Sequence, residues 1–316
     1  MRLLLLFLAT GMPVFATRAP GDNRPNIVLF FPDTLSSEAM GPLYGNPIVQ
    51  TPRLNEFAAN ATTFLNAYSS FPQCSPSRAA LVTGRHVHTL GHRTMTHLVQ
   101  PWEPNMWAML KDAGYSTLHF GKNDMLAAAS FNISFNYWED GQGVSQAPCP
   151  YAFGESGYYS FASGAGPKNG NDTTGNADLR AVHNALAALS SGVYPEPFAL
   201  FIPGIGAHPP YGMPRDYEGM YDPSDIAAKF PLRTLAEATN KPPYYGDAGI
   251  RGYRNYTDID VAMNYSYSVI ANYYARITYA DWIFGQLLDG LEFLNLMQST
   301  AVAFSSDHGD FQVRKG

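Results

Sequence analysis

The stretch CSPSRAALVTGR, residues 74–85, sets Cys74 two residues before Pro76 and four before Arg78, then runs through Ala79, Ala80, Leu81 and Val82 to close on Thr83, Gly84 and Arg85. This order predicts a helix over 75–83 with the cysteine at its start. A nucleophile there lies at the positive end of the helix dipole, beside backbone N–H groups without an intrahelical partner, where an anion is readily held. Pro76 suits a first turn because its missing N–H would have had no partner. Arg78 offers a planar fork for sulfate or phosphate oxygens. A buried structural cysteine would explain Cys74 taken singly, whereas the twelve residues in this order favour chemistry.

Outward from this helix, apolar β-rich runs alternate with helical patterns. Strands are predicted over 26–31, 116–120, 198–202 and 300–304, and helices over 52–60, 107–113, 177–189 and 261–294. That alternation predicts an α/β fold with a mostly parallel sheet. The stretches 141–176, rich in Gly, Ser, Asn and Tyr, and 209–260, rich in Pro, Tyr and Asp, read as rim loops. Asp33, Lys122, His208 and the pair Asp307-His308 each fall just past a predicted strand end, which is where open α/β sheets build their sites. Singly, each has an ordinary explanation as a cap, a turn former or a solvated charge. Their shared location beside the 74–85 helix makes them candidates.

These segments resemble the type I sulfatases, formylglycine-dependent enzymes of the alkaline phosphatase-like superfamily. CSPSR is similar to the CxPxR motif, whose cysteine is oxidised during secretion to formylglycine; the hydrated aldehyde is the nucleophile, and the formylglycine-generating enzyme reads the proline and the arginine. RPNIVLFFPDT is similar to the opening strand whose Asp binds calcium, and FGKND to the segment whose Lys contacts the sulfate. GIGAHPPY is similar to the segment whose His faces the leaving group, and SSDHG to the late pair that completes the metal site. The resemblance runs from Arg24 to Gly309.

It implies an alkaline phosphatase-like fold with helices flanking the sheet, and hydrolysis of a sulfate ester of a carbohydrate or aryl alcohol. It places Asp33, Asp307 and the modified Cys74 around one divalent cation, with His308 as a further ligand or a hydrogen-bond partner, and carboxylate oxygens favour calcium there. It gives Arg78 and Lys122 the neutralisation of the transferring group and His208 the protonation of the leaving oxygen. Asp124 stands where GKxH has a histidine and is the candidate acceptor of the second gem-diol proton. Thr34 replaces a second metal-binding Asp. The GKxD and SSDHG motifs stand closest to the arylsulfatase K group, lysosomal sulfatases of 2-sulfated glucuronate. The family continues beyond its DHG with more strands, a second sulfate-contacting Lys and a smaller subdomain, whereas this chain stops seven residues after Gly309. The resemblance therefore implies a catalytic domain over 20–316 truncated at its C-terminal end, with Lys315 as a stand-in for the missing Lys. On this reading the strand over 300–304 lies near the middle of the sheet.

The other end sets the compartment. Met1-Arg2, the run from Leu3 to Leu8 and the small-residue site at Val14-Phe15-Ala16 predict a signal peptide over 1–19, cleaved near Ala16 or Ala19. The run is too short to span a bilayer. A secretory destination, lysosomal or extracellular, follows, and sequons at Asn60, Asn132, Asn171, Asn255 and Asn264 agree with it. If Cys74 is committed to chemistry, Cys149, the other of the two cysteines, is left unpaired or buried. With 316 residues and 46% hydrophobic composition, the chain suffices for one large core. A net charge of −6 without a basic run speaks against nucleic acid or an anionic membrane as partner. A sulfated small molecule or glycan is the expected ligand. Two other readings stay open at this point: a phosphonate or phosphodiester hydrolase on the same scaffold, and a secreted glycan-binding pseudoenzyme, suggested by the truncation and the 20 tyrosines.

Overall fold

Five parallel strands form one sheet in the computed structural model, which describes residues 18–140, 151–152, 177–230 and 259–310. They are β1 (Asn26–Phe30), β2 (Ser116–Gly121), β3 (Tyr137–Asp140), β4 (Phe198–Ile202) and β5 (Thr300–Phe304), in the spatial order β3-β2-β4-β1-β5. The inner strands β1 and β4 read NIVLF and FALFI. Strands covered by helices on both faces must be apolar on both, so alternation is lost from their composition. It survives in where each residue goes. Val28, Phe30, Leu118, Phe120, Leu200 and Ile202 enter one apolar layer, while Leu29, Phe31, Ala199 and Phe201 enter the other.

The helices are α1 (Pro52–Ala58), α2 (Cys74–Thr83), α3 (Val87–Leu90), α4 (Met106–Asp112), α5 (Ala128–Ser134), α6 (Ala177–Ser190), α7 (Pro223–Lys229) and α8 (Ile259–Phe293). The first layer is completed by α6 and α8, through Val182, Leu186, Ile277, Ile283, Phe284 and Leu287, all buried. Each such side chain contributes roughly 1.5–3 kcal/mol of burial. The second layer gathers α2, α4 and α5, where Trp107 stacks on Phe201 with ring centroids 4.8 Å apart. His119 on β2 points into this second layer and makes ring contacts with Phe131, Phe135 and Phe201. Burial pushes its pKa down to about 3, so it packs as a neutral ring.

The predicted elements are present with ends shifted by a residue or two; α2 begins at Cys74 itself. Three short elements, α3, α5 and β3, were not anticipated; α3 is a single turn, VHTL. The sequences of the other two, AASFNIS and YWED, are too short and too polar for periodicity to stand out. Within the expected 209–260 loop lies α7, which has Pro223 in its first turn and Asp222 as N-cap, accepting from Ser224 N at 2.7 Å. The middle position expected for β5 belongs to a sheet with further strands beyond it; among the described residues β5 stands at one edge and pairs with β1. Adjacency to β1 on one side is enough to bring Asp307 beside Asp33, so the site does not require an interior β5. The 1–17 segment, Cys149, Lys315 and nearly all of 141–176 lie outside the described residues. Among the described residues no helix is long and apolar enough to cross a membrane.

Candidate active site

Strand register builds the site. Phe30 pairs with Phe304, and Asp33 and Asp307 each lie three residues further on, so both carboxylates leave the same end of the sheet side by side. Lys122 likewise lies three residues past His119, which pairs with Phe201, and its backbone N donates to Pro203 O at 2.8 Å. The turns after β1 and β5 are then stitched together. Thr34 N donates to Asp307 Oδ1 at 3.0 Å, Leu35 N to Ser306 Oγ at 2.9 Å, and Ser306 Oγ to Pro32 O at 2.9 Å. Thr34 holds φ at 63°, an unfavourable conformation for a β-branched residue, which persists only where its surroundings enforce it. Tyr273 from α8 provides that enforcement, donating to Thr34 O at 2.8 Å and accepting from Ser36 N at 2.9 Å.

The N-terminus of α2 completes the cluster. Cys74 is its first residue, and the first helical bond runs from Ser77 N to Gln73 O at 3.0 Å, so Pro76 falls among the turn's unpartnered N–H positions. Cys74 Sγ is buried, 3.4 Å from His308 Nε2, 3.6 Å from Asp33 Oδ1 and 3.8 Å from Lys122 Nζ. Ligand atoms of Asp33, Cys74, Asp307 and His308 all lie within 4.8 Å of one another. Two carboxylates, an imidazole and a position able to carry oxygen make a donor set that fits a hard divalent cation.

Charge is arranged around these donors. Arg78 is fully buried, with Nε 2.9 Å from Asp307 Oδ2 and Nη2 3.3 Å from Asp33 Oδ2, so its fork engages the two carboxylates. Lys122 Nζ bonds Asp33 Oδ2 and lies 3.0 Å from Asp124 Oδ2. Burial works to raise the Asp33 pKa, but Arg78 and then Lys122 outweigh it and hold the carboxyl well below the usual range. Burial likewise works against the Lys122 charge, and Asp33 outweighs it, so Lys122 stays an ammonium. For Cys74 the balance runs the other way: burial first, then Asp33, outweigh the opposing pull of Lys122 and Arg78 and push the thiol up to about 12, so the unmodified side chain is a protonated, weak nucleophile. The formal charges of Asp33, Asp124 and Asp307 against those of Arg78 and Lys122 sum to −1, which a divalent cation would turn to +1. The cluster would then be positive and suited to an anionic ester.

His208 sits half-buried on the loop after β4, near enough for its charge to bear on Asp33, and its Nδ1 lies 2.5 Å from Pro209 O. The structure thus gathers Asp33, Cys74, Arg78, Lys122, Asp124, Asp307 and His308 in one cluster, with His208 on its border. Sequence reasoning missed Tyr273, Ser306 and Ser77, whose Oγ donates to Asp307 O at 2.5 Å. Their partners are remote in sequence and no local pattern marks them.

The family model described as Sulfatase matches residues 25–312. An ulvan-active sulfatase from Formosa agariphila is 26% identical over 91% of this chain and 51% of its own length. Arylsulfatase K from Mus musculus is 25% identical over 98% of this chain and 57% of its own length. The chain spans about half the length of these relatives. In fold it is similar to the phosphonate monoester hydrolase of Agrobacterium radiobacter, with a TM-score of 0.72 at 19% identity over 92% of this chain and 63% of that one.

Proposed function

The chain belongs to the sulfatase family, and from that premise we propose that it carries the catalytic centre of a sulfuric ester hydrolase, with residue 74 as formylglycine and calcium as the cation. The observation that carries this reading is the placement of Cys74: first in α2, buried, and within 3.4–3.8 Å of His308, Asp33 and Lys122. A thiol with its pKa pushed up to about 12 is poorly suited to attack, while a residue so enclosed by a cation set and a basic side chain is well placed to act once modified. The hydrated aldehyde would supply the hydroxyl nucleophile that the thiol lacks. Asp33 and Asp307, with His308, would hold the calcium, which when bound supplies Lewis-acid polarisation of the sulfate oxygens.

The chain's own groups then divide the work. Arg78 fixes both metal-binding carboxylates in place and keeps Asp33 ionised. Lys122, between Asp33 and Asp124, offers its ammonium to the bound anion. Asp124 takes a proton from the nucleophile's side, and His208 delivers one to the leaving oxygen. The substrate is a sulfated glycan or small aryl sulfate. The likeness to arylsulfatase K and to an ulvan-active sulfatase supports the glycan. A secretory route, with processing near Ala16 or Ala19 and maturation by formylglycine-generating enzyme, accords with exposed sequon residues Asn60 and Asn132.

Mass spectrometry of the peptide containing residue 74, from a host able to form formylglycine, is the direct test. The aldehyde mass together with turnover of an aryl sulfate is the expected result; unmodified cysteine in such material would remove the mechanism and favour a glycan-binding pseudoenzyme. The likeness in fold to a phosphonate monoester hydrolase supports a second reading. A higher kcat/KM on phosphonate monoesters or phosphodiesters than on sulfate esters would establish it instead.

A further inference from the structure

The loop that carries His208 is held by two buried charges with no part in the chemistry above. Asp178, in the first turn of α6, is 4% exposed, and Arg276, on α8, is 2% exposed. The Asp178 carboxylate accepts from Ile205 N at 2.7 Å and from Gly206 N at 2.9 Å. Arg276 donates from Nε to Gly206 O at 2.9 Å, from Nη2 to the same oxygen, and from Nη1 to Gly212 O at 2.8 Å. The closest approach of the two side chains is 3.8 Å, so their shorter contacts are with the backbone between them. His208 thus lies inside a segment whose peptide groups are gripped before it at 205–206 and after it at 212.

That grip also reaches the metal ligands. Ala207 N donates to Asp33 O at 3.1 Å, and Asp33 N to Gly204 O at 3.2 Å. Gly206, at φ +57°, is packed so closely that a Cβ there would stand 2.5 Å from Asp33 O. Burying two charges costs several kcal/mol of desolvation, and apolar side chains of similar volume often serve stability as well or better. A surface loop without an exacting task would not need such a device. One that must set an imidazole on one side and a ligand's backbone on the other does, because misplacement by about 1 Å can cost on the order of 100-fold in rate.

We infer that Asp178 and Arg276 are positioning residues that clamp the 205–212 backbone and thereby set His208 against the leaving group. The inference rests on the sulfatase reading for its kinetic arm and stands apart from it in its spectroscopic arm. Three variants test it: Arg276→Lys, which keeps the charge but cannot reach both Gly206 and Gly212; Asp178→Asn; and the double variant Asp178→Leu with Arg276→Met, which removes both charges together. NMR of histidine-labelled protein, with His208 assigned by its loss in His208→Gln, reports the ring directly. The expected result is a broadened or split His208 signal in every variant, with kcat per folded molecule lower by on the order of 10- to 100-fold and KM changed far less. Where a single variant fails to fold, the double variant carries the same readings. Variants that melt earlier but keep the wild-type His208 signal and kcat would overturn the inference and leave the pair a matter of stability. If the unaltered protein cleaves no sulfate ester, the NMR arm still decides: an unchanged ring signal overturns the clamp, a disturbed one upholds it while the sulfatase reading fails.

Discussion

Asp33, at the sheet end, and Asp281, in the helical layer, are both buried, and their surroundings drive them in opposite directions. Asp281 on α8 accepts from Leu54 N at 2.7 Å and Arg53 N at 3.1 Å, and so caps α1 from a distant part of the chain. Burial pushes its pKa up to about 6, and those two N–H bonds pull it back only in part. Asp33 is the more deeply enclosed in charge: burial works the same way there, yet Arg78 and Lys122 more than reverse it. Backbone dipoles make a buried carboxylate tolerable; full counter-charges keep it ionised. One arrangement holds two helices together, and the other keeps Asp33 charged at any ordinary pH.

The comparison breaks most visibly at the ligands. Asp33→Ala and Asp307→Ala should each abolish turnover and also the rise in melting temperature on adding calcium, worth about 2.7 kcal/mol at a hundredfold excess over Kd. Melts of the wild type that ignore both calcium and chelator would end the metal assignment. Next in size, Arg78→Met removes the guanidinium that both carboxylates share, which should lower stability by roughly 3–5 kcal/mol in urea titrations. A loss under about 1 kcal/mol would mean that Asp33 needs its counter-charge no more than Asp281 does.

Acid titration sharpens the contrast further. The folded Asp281 pKa, about 6, lies above its ordinary 3.8, so the native state binds the proton more tightly. Its contribution is therefore complete below about pH 4 and is lost as pH rises through about 6, on the order of 3 kcal/mol in all. Asp33 has the opposite sign, contributing above the ordinary carboxylate range and losing that contribution only at far lower pH. Asp281→Asn should flatten the decline in unfolding free energy between about pH 4 and 7; a variant that keeps the wild-type slope would refute the assignment. The smallest effect is expected at His119, a buried ring whose Nε2 has no partner and which is neutral for want of an opposing charge. His119→Phe should change stability by less than about 1.5 kcal/mol and leave kcat unaltered.

Much of the fold could be read from the chain because buried parallel strands announce themselves as apolar runs, as NIVLF and FALFI do. The site was legible for a related reason: polar residues placed just past such runs have few places to go other than the sheet's end. What Arg78 faces was not legible, since a guanidinium fork suits a carboxylate as well as a sulfate, and only tertiary packing chose Asp33 and Asp307. Nor did anything mark Tyr273 or Arg276. Their partners lie 237 and 70 residues away, and on α8 each reads as one more position of a long helical pattern. The pairing of β5 with β1 was hidden too, because pairing partners are not encoded in a strand's own five residues.

The pairing of Phe30 with Phe304, and the equal offset of the two carboxylates beyond it, makes chain length itself part of the site. Each residue advances an extended backbone by about 3.3 Å and turns the next side chain to the other face. An insertion or deletion of one residue between Phe30 and Asp33, or between Phe304 and Asp307, would carry a ligand most of the way out of a cluster only 4.8 Å across. These two connections are therefore counted rather than merely composed, and single-residue deletions within them should be as damaging as replacing the aspartates themselves.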